Sequence, residues 1–316
     1  MTTNIFQVAL AGSTQHSLTC AQSLASHKQF QIVWLLTPKP KPVGRQKTIN
    51  KNPIHRWAEK KQLPVIAVSK KLDQQTKQQI NAAQQKLKIN QPDFLLTVDF
   101  GYRIPNWLLQ LPKIAPLNIH PSALPRWRGS SPGQFVLLKG ETESAVTVFK
   151  LTDKLDAGPI IYQEKFSVQS HWTQTEYYQH SFKLIASKLP QILIDYAQGS
   201  IKEKPQPTKS PTPIAKQLTK QAGFIPWKKI LNAQKITAIK PNSQAKAQTN
   251  LAQKIERSCR AFYPWPGLWT IIPTKKGPKR MKILKCNIDH GKLKLTQVQV
   301  AGQKPARFTE IKTLLV

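Results

Sequence analysis

The chain has 316 residues, with 48 Lys and Arg against 15 Asp and Glu and a hydrophobic content of 40%. That length and apolar fraction suit one large domain or two ordinary ones and exclude wholesale disorder. A formal net charge of +33 points to a polyanionic partner, and no run approaches the roughly 18 uninterrupted apolar residues of a membrane span, so no membrane association is expected.

The charge is uneven. Residues 1–200 hold 24 Lys and Arg against 11 Asp and Glu, whereas residues 201–316 hold 24 against 4. A module this basic can follow a phosphate backbone, with affinity that falls as salt rises. Cys20, Cys259 and Cys286 are odd in number and widely spaced, which argues against a disulfide framework and against a zinc site, so no metal is expected. Met1–Thr14 lacks a basic leader, and a reduced, cytoplasmic protein is expected.

Taken in chain order, Ile5–Ala11 reads as a strand, and Gly12-Ser13-Thr14 as a turn with helix-capping hydroxyls. Phe30–Leu36 is a second strand, and Thr37–Pro53 is a Pro/Lys-rich loop. Ile54–Gln62 reads as a helix, Pro64–Val68 as a strand and Leu72–Leu87 as a Gln/Lys-rich helix. Phe94–Val98 and Ala115–His120 are further short strands. This alternation predicts an α/β fold, a twisted and mainly parallel sheet with helices on both faces, whose ligands bind beyond the C-terminal strand ends. Glu143–Lys150 and Gly158–Val168 resemble an antiparallel pair. Tyr178, Phe182, Ile185, Leu189, Ile192 and Tyr196 then form one apolar helix face, which Pro190 is expected to bend or split.

Residues 1–197 thus form a first domain. Residues 198–213 are rich in Pro and Lys and read as a stiff solvated linker. In 214–316, the runs Leu268–Ile272, Met281–Cys286 and Leu293–Val300 suggest a small β-barrel or sandwich, and Ala233–Gln253 an exposed insertion.

The chemically informative run is Asn118-Ile119-His120-Pro121-Ser122-Ala123-Leu124-Pro125-Arg126-Trp127-Arg128-Gly129. Residues two apart on a strand share a face, so Asn118 and His120 can converge, and the prolines fix a rigid loop beyond them. A carboxamide can donate to a developing oxyanion, and an imidazole can shuttle a proton or polarise a carbonyl. Downstream, Asp156 in Leu155-Asp156-Ala157-Gly158 can orient or charge-balance His120.

This run resembles the signature of the 10-formyltetrahydrofolate-dependent formyltransferases, Asn-x-His-x-Ser-x-Leu-Pro before a basic and aromatic stretch, and Asp156 matches that family's second acidic element. Arg260-Ala261-Phe262-Tyr263-Pro264-Trp265-Pro266-Gly267 is similar to the RAF-x-PWPG element of those members that act on methionyl-tRNA. The resemblance covers nearly the whole chain. It implies a Rossmann-like catalytic domain, a small OB-like β-barrel that binds tRNA, and transfer of a formyl group from 10-formyltetrahydrofolate to the α-amine of methionyl initiator tRNA for translation initiation. It further implies catalytic roles for Asn118, His120 and Asp156. The folate contacts would come from Ser122, Ala123, Leu124 and Pro125, and from Phe100, Gly101 and Tyr102. The loop carrying Lys39, Lys41, Arg45 and Lys47 would reach the tRNA acceptor stem. A cytoplasmic monomer is expected, and RAFYPWPG is read as a packing hinge.

Departures from the family pattern are Pro121 for glycine, Ala123 for leucine, Lys154 for glycine, Asp99 for a small residue and Ser13-Thr14 after Gly12. They bear on donor affinity more than on reaction type. The alternatives are a sugar-nucleotide N-formyltransferase and a non-catalytic RNA-binding relative.

Overall fold

Strand β1 (Phe6–Gly12) is apolar apart from Gln7, and it buries Val8 and Leu10 on one face and Ala9 and Ala11 on the other. A strand buried on both sides belongs in the middle of a parallel sheet with helices above and below. The computed structural model describes residues 5–43, 48–69, 71–235 and 243–314, apart from the side chains of residues 43 and 243–249. After β1 come α1 (Gln15–Ala25), β2 (Phe30–Pro38), β3 (Lys41–Val43), β4 (Thr48–Asn50), α2 (Pro53–Lys60), β5 (Val65–Val68), α3 (Gln74–Lys86) and β6 (Phe94–Val98). Then follow α4 (Asn106–Leu109), β7 (Ala115–His120), α5 (Pro132–Lys139), β8 (Glu143–Lys150), β9 (Ile160–Ser167) and α6 (Gln174–Ala197).

The main sheet has the order β5-β2-β1-β6-β7-β8-β9. Its first five members run parallel and β8 runs antiparallel to β7. On one face Val8, Leu10 and Leu117 pack with Phe182, Ile185, Leu189 and Leu193 of α6; on the other Ala9, Leu36 and Leu95 pack with Ile80 of α3 and Leu108 of α4. This is the Rossmann-like, mainly parallel sheet that the apolar runs predict.

Two local expectations are corrected. The segment Thr37–Pro53 is not wholly loop, because β3 and β4 form a hairpin with Pro42 opposite Ile49. Pro190 does not split α6, which runs unbroken from Gln174 to Ala197. A proline has no N–H for the carbonyl four residues back, which here is that of Ala186. The Ser23 hydroxyl of α1 donates to that carbonyl instead, so the helix continues without an orphaned acceptor.

The chain divides into two compact units, one of Met1–Ser130, Ser144–Phe166 and Tyr178–Ile214, the other of Ser131–Glu143, Ser167–Tyr177 and Ala215–Val316. The second contains α5 together with α7 (Trp227–Gln234), α8 (Ser243–Phe262), β10 (Leu268–Ile272), β11 (Lys279–Asp289), β12 (Lys292–Val300), β13 (Ala306–Arg307) and α9 (Phe308–Ile311). Its strands form an antiparallel sheet in the order β10-β11-β12-β13, consistent with a small barrel. Irregular register between Ile283 and Cys286 bends β11. The expected insertion at Ala233–Gln253 is corrected in part. From Ser243 onwards it is helix α8, whose Ala252, Ile255 and Cys259 are buried at a helical spacing. Alanine, glutamine and lysine are all good helix formers, so the composition suits this outcome.

Among the described residues no helix is long and apolar enough to cross a membrane. Ser23→Ala should destabilise the protein by ~1–3 kcal/mol by leaving the Ala186 carbonyl without its donor, measurable by urea unfolding; an unchanged midpoint would show that water replaces the hydroxyl there.

Candidate active site

Parallel pairing carries β6 and β7 to one end of the sheet, with Thr97 beside Asn118, while β8 places Phe149 opposite Asn118 and Thr147 opposite His120. The strand order reverses between β1 and β6, where the crossovers to β2 and β7 leave in opposite directions, and in sheets of this kind that is the crevice for ligands. The single Thr97 hydroxyl proton lies between two acceptors, the Leu117 carbonyl at 3.1 Å and Asn118 Oδ1 at 2.8 Å. With its oxygen engaged, the half-buried Asn118 carboxamide presents its NH2 group as a donor.

His120 is buried and lies edge-on to Phe149. Its Nε2 is 3.0 Å from the Trp127 carbonyl oxygen. A carbonyl only accepts, so Nε2 carries the hydrogen and Nδ1 is the nitrogen that gains or loses a proton. Nδ1 lies 3.8 Å from Asp156 Oδ2, an ion-pair distance rather than a hydrogen bond. That same oxygen accepts the Gly129 N–H at 2.7 Å. Asp156 has φ +47°, a left-handed conformation that aspartate tolerates better than most residues. Gly158 follows it because a Cβ there would fall 1.8 Å from the Lys150 carbonyl. The carboxamide, the imidazole and the carboxylate predicted from the sequence are therefore brought together.

The loop after His120 is tightly bonded to itself. Ser122 is fully buried, with its hydroxyl donating to the Arg126 carbonyl and its own carbonyl accepting from Thr147. Leu124 is buried too, and Gln163 donates to its carbonyl, whereas Ala123 and Pro125 are half-buried. Phe100 is in the core under α3 and α4 and touches the Tyr102 ring. Gly101, at φ +79°, is exposed with open space where a side chain would stand. Lys39 and Lys41 are exposed beyond the C-terminal end of β2; Arg45 and Lys47 lie outside the described residues.

Several groups at this site escaped the sequence reading. Thr97 and the Trp127 carbonyl have no local signal. His16 and Asp99 are related in space, each acting on the charge of the other. Asp99 ends β6 at φ +48°, its carbonyl takes the Ser13 hydroxyl at 2.6 Å and its carboxylate takes the Thr14 hydroxyl at 3.0 Å. Burial raises the Asp99 carboxyl above its ordinary value, against the opposing influence of His16, the Thr14 hydroxyl and His120. Burial likewise lowers the His16 imidazole, against the field of Asp99.

RAFYPWPG corrects another expectation. Phe262 is buried, but Tyr263 and Trp265 are among the most exposed large apolar side chains. The backbone here is tied down, with the Trp265 carbonyl accepting from Gln174 and the Gly267 N–H donating to the Phe262 carbonyl. Among the described residues no group of three His, Cys, Asp or Glu could hold a metal ion.

Comparison with known proteins shows the family of the chain. Residues 5–193 match the model of the formyl transferase family, and residues 247–313 match the formyl transferase C-terminal domain. The chain is 30% identical to the methionyl-tRNA formyltransferase of Idiomarina loihiensis over 83% of its length and 74% of the relative's. It is 28% identical to that of Caulobacter vibrioides over 90% of its length and 82% of the relative's. Its fold is like that of the methionyl-tRNA formyltransferase from Clostridium thermocellum, at a TM-score of 0.57 and 13% identity over 94% of this chain and 99% of that one. A sugar 3-N-formyltransferase crystallised with dTDP and 5-N-formyl-THF has the same fold, at a TM-score of 0.58 and 16% identity over 95% of this chain and 100% of that one.

Because burial raises the Asp99 carboxyl, its ionisation in the fold opposes stability: the contribution is favourable below the ordinary carboxylate range and is lost as pH rises through the folded value. Asp99→Asn should therefore raise the urea midpoint at pH 7 and lose that gain below about pH 4. A gain that persists unchanged at low pH would show that charge is not its cause.

Proposed function

We propose that this chain, which belongs to the formyl transferase family and is a formyl-transferring enzyme, moves the formyl group of 10-formyltetrahydrofolate to the α-amine of methionyl initiator tRNA. The observation that carries the choice of acceptor is the pairing of two matches: a C-terminal domain of the family over residues 247–313, and methionyl-tRNA formyltransferase relatives spanning most of the chain. The excess of 24 Lys and Arg over 4 Asp and Glu in residues 201–316 supports it, since tRNA is a polyanion. We read the enzyme as a cytoplasmic monomer serving translation initiation.

In this reading the reaction begins with the neutral amine attacking the formyl carbon. Charge develops on the formyl oxygen, and the Asn118 NH2 group donates to it, held in that orientation by Thr97. His120 accepts a proton at Nδ1 while Nε2–H stays on the Trp127 carbonyl, and Asp156 stabilises the resulting imidazolium from 3.8 Å. As the tetrahedral intermediate collapses, the bond between carbon and N10 breaks. The proton lost by the amine passes to N10, so no net charge remains on the products. Ser122, Ala123, Leu124 and Pro125, with Phe100, Gly101 and Tyr102, would hold the folate. The open space over Gly101 fits a flat ring laid against backbone. Lys39, Lys41, Arg45 and Lys47 would contact phosphates of the acceptor stem.

Incubating the protein with 10-formyltetrahydrofolate and methionyl-tRNA should yield formyl-methionine after deacylation. Asn118→Ala should lower kcat roughly 100- to 1000-fold through loss of the oxyanion donor. Formylation of an amino-sugar nucleotide in place of the tRNA would select the sugar-directed reading. Tight tRNA binding with no turnover on any amine would select a non-catalytic relative.

A further inference from the structure

The stretch 198–213 reads as a stiff solvated linker, yet in the first unit it is bonded repeatedly to the two loops that meet His120. The Ser210 hydroxyl donates to the Pro125 carbonyl at 2.7 Å, and Thr212 Oγ1 accepts the Trp127 N–H at 2.7 Å. Arg128 is buried, and its guanidinium donates to the Pro207 and Thr208 carbonyls and, through Nε and Nη2, to Gln206 Oε1 at 3.1 and 2.9 Å. Among the described residues no carboxylate pairs with this cation. The other end of the Gln206 side chain, Nε2, donates to the Asp156 carbonyl at 3.0 Å and to the Gly158 carbonyl at 2.7 Å.

Gln206 thus uses its full capacity, two donated and two accepted hydrogen bonds. A carboxamide is the right group for the place. One end must accept from a guanidinium and the other must donate to two carbonyls. A carboxylate has no donor for the carbonyls, and an ammonium has no acceptor for the guanidinium. The two bodies it joins are the ones that flank the imidazole: the Asp156 turn, held at a positive φ, and the Arg126–Gly129 loop, whose Trp127 carbonyl holds Nε2 of His120 and whose Gly129 N–H holds Asp156.

We propose that Gln206 is a positioning residue for the formyl-transfer centre: its carboxamide locks the Asp156 turn to Arg128 and so fixes the carboxylate against Nδ1 of His120. The inference rests on the proposed roles of His120 and Asp156. Because it concerns the alignment of the reacting groups, its loss weakens the chemical step and leaves substrate binding intact. The exposed chain that leads into the basic C-terminal region is thereby part of the catalytic scaffold.

Two variants separate alignment from folding. Gln206→Glu keeps an acceptor for Arg128 but removes both donors to the Asp156 turn; Gln206→Ala removes both ends. Gln206→Glu, whose carboxylate still pairs with Arg128, should lower the thermal midpoint less than Gln206→Ala does, while kcat falls about tenfold or more, with KM for folate and for tRNA changed less than twofold. Gln206→Ala should lose kcat and stability together. A second measurement needs no substrate: the crystal structure of Gln206→Glu. There the Asp156 carboxylate should have moved away from Nδ1 of His120, beyond the 3.8 Å of the parent. Unchanged kcat with an unmoved Asp156 carboxylate overturns the inference, as does a loss that appears only in KM. Failure of the parent protein to formylate methionyl-tRNA would instead overturn the proposed acceptor, and the structure of the variant would still decide the role of Gln206.

Discussion

A hydrogen bond of 3.0 Å from His120 Nε2–H to the Trp127 carbonyl decides which nitrogen of the imidazole is available for chemistry. Everything else at the site follows from that choice. Nδ1 is left to face the carboxylate of Asp156, and a proton gained there is balanced by a charge 3.8 Å away. The carbonyl is held in place by more than its own loop. Trp127 sits at φ +56°, an unfavourable conformation for a bulky residue, with its indole buried and its N–H bonded to Thr212. Such a backbone, costing ~1–3 kcal/mol, persists only where the surroundings over-determine it.

The sheet supplies the other half of the arrangement. Five parallel strands bring the ends of β1, β6 and β7 to one edge, where Gly12 ends β1, Asp99 follows β6 and Asn118 lies two residues before the end of β7 at His120. Rigid strands carry the groups that must not move, Thr97 and Asn118. The loops carry those whose alignment depends on neighbouring segments, Asp156 and Trp127. The carboxamide of Asn118 is oriented from the adjacent strand, so a hydroxyl of the core sets the direction of a donor at the surface.

Much of the fold was legible because it follows from local chemistry. Short, mostly apolar runs such as Phe94–Val98 suit interior strands of a covered sheet, and the Thr14 cap of α1 is written in Ser13-Thr14. That Asn118 and His120 share a face was readable from a two-residue spacing on a strand, whereas the roles expected of them came from the resemblance of the run around them to the formyltransferase signature. The remainder depends on contacts distant in sequence. Nothing near Pro190 reveals that Ser23 will take over its missing hydrogen bond, 163 residues apart from the acceptor at Ala186. Nor does the Pro/Lys-rich composition around Gln206 disclose a buried partner in Arg128, since a polar strap and a free linker have the same composition. The aromatic residues of RAFYPWPG misled for a related reason: apolar type predicts burial on average, and Tyr263 and Trp265 depart from it.

The tautomer of His120 is the most direct test of this account. In protein labelled with 15N at histidine, the neutral His120 ring should show its hydrogen on Nε2, with Nδ1 giving the downfield shift of an unprotonated nitrogen and gaining its proton first as pH falls. A neutral ring protonated at Nδ1 would contradict the account, since Nε2 would then set a lone pair against the Trp127 carbonyl and the imidazole could not be held as described.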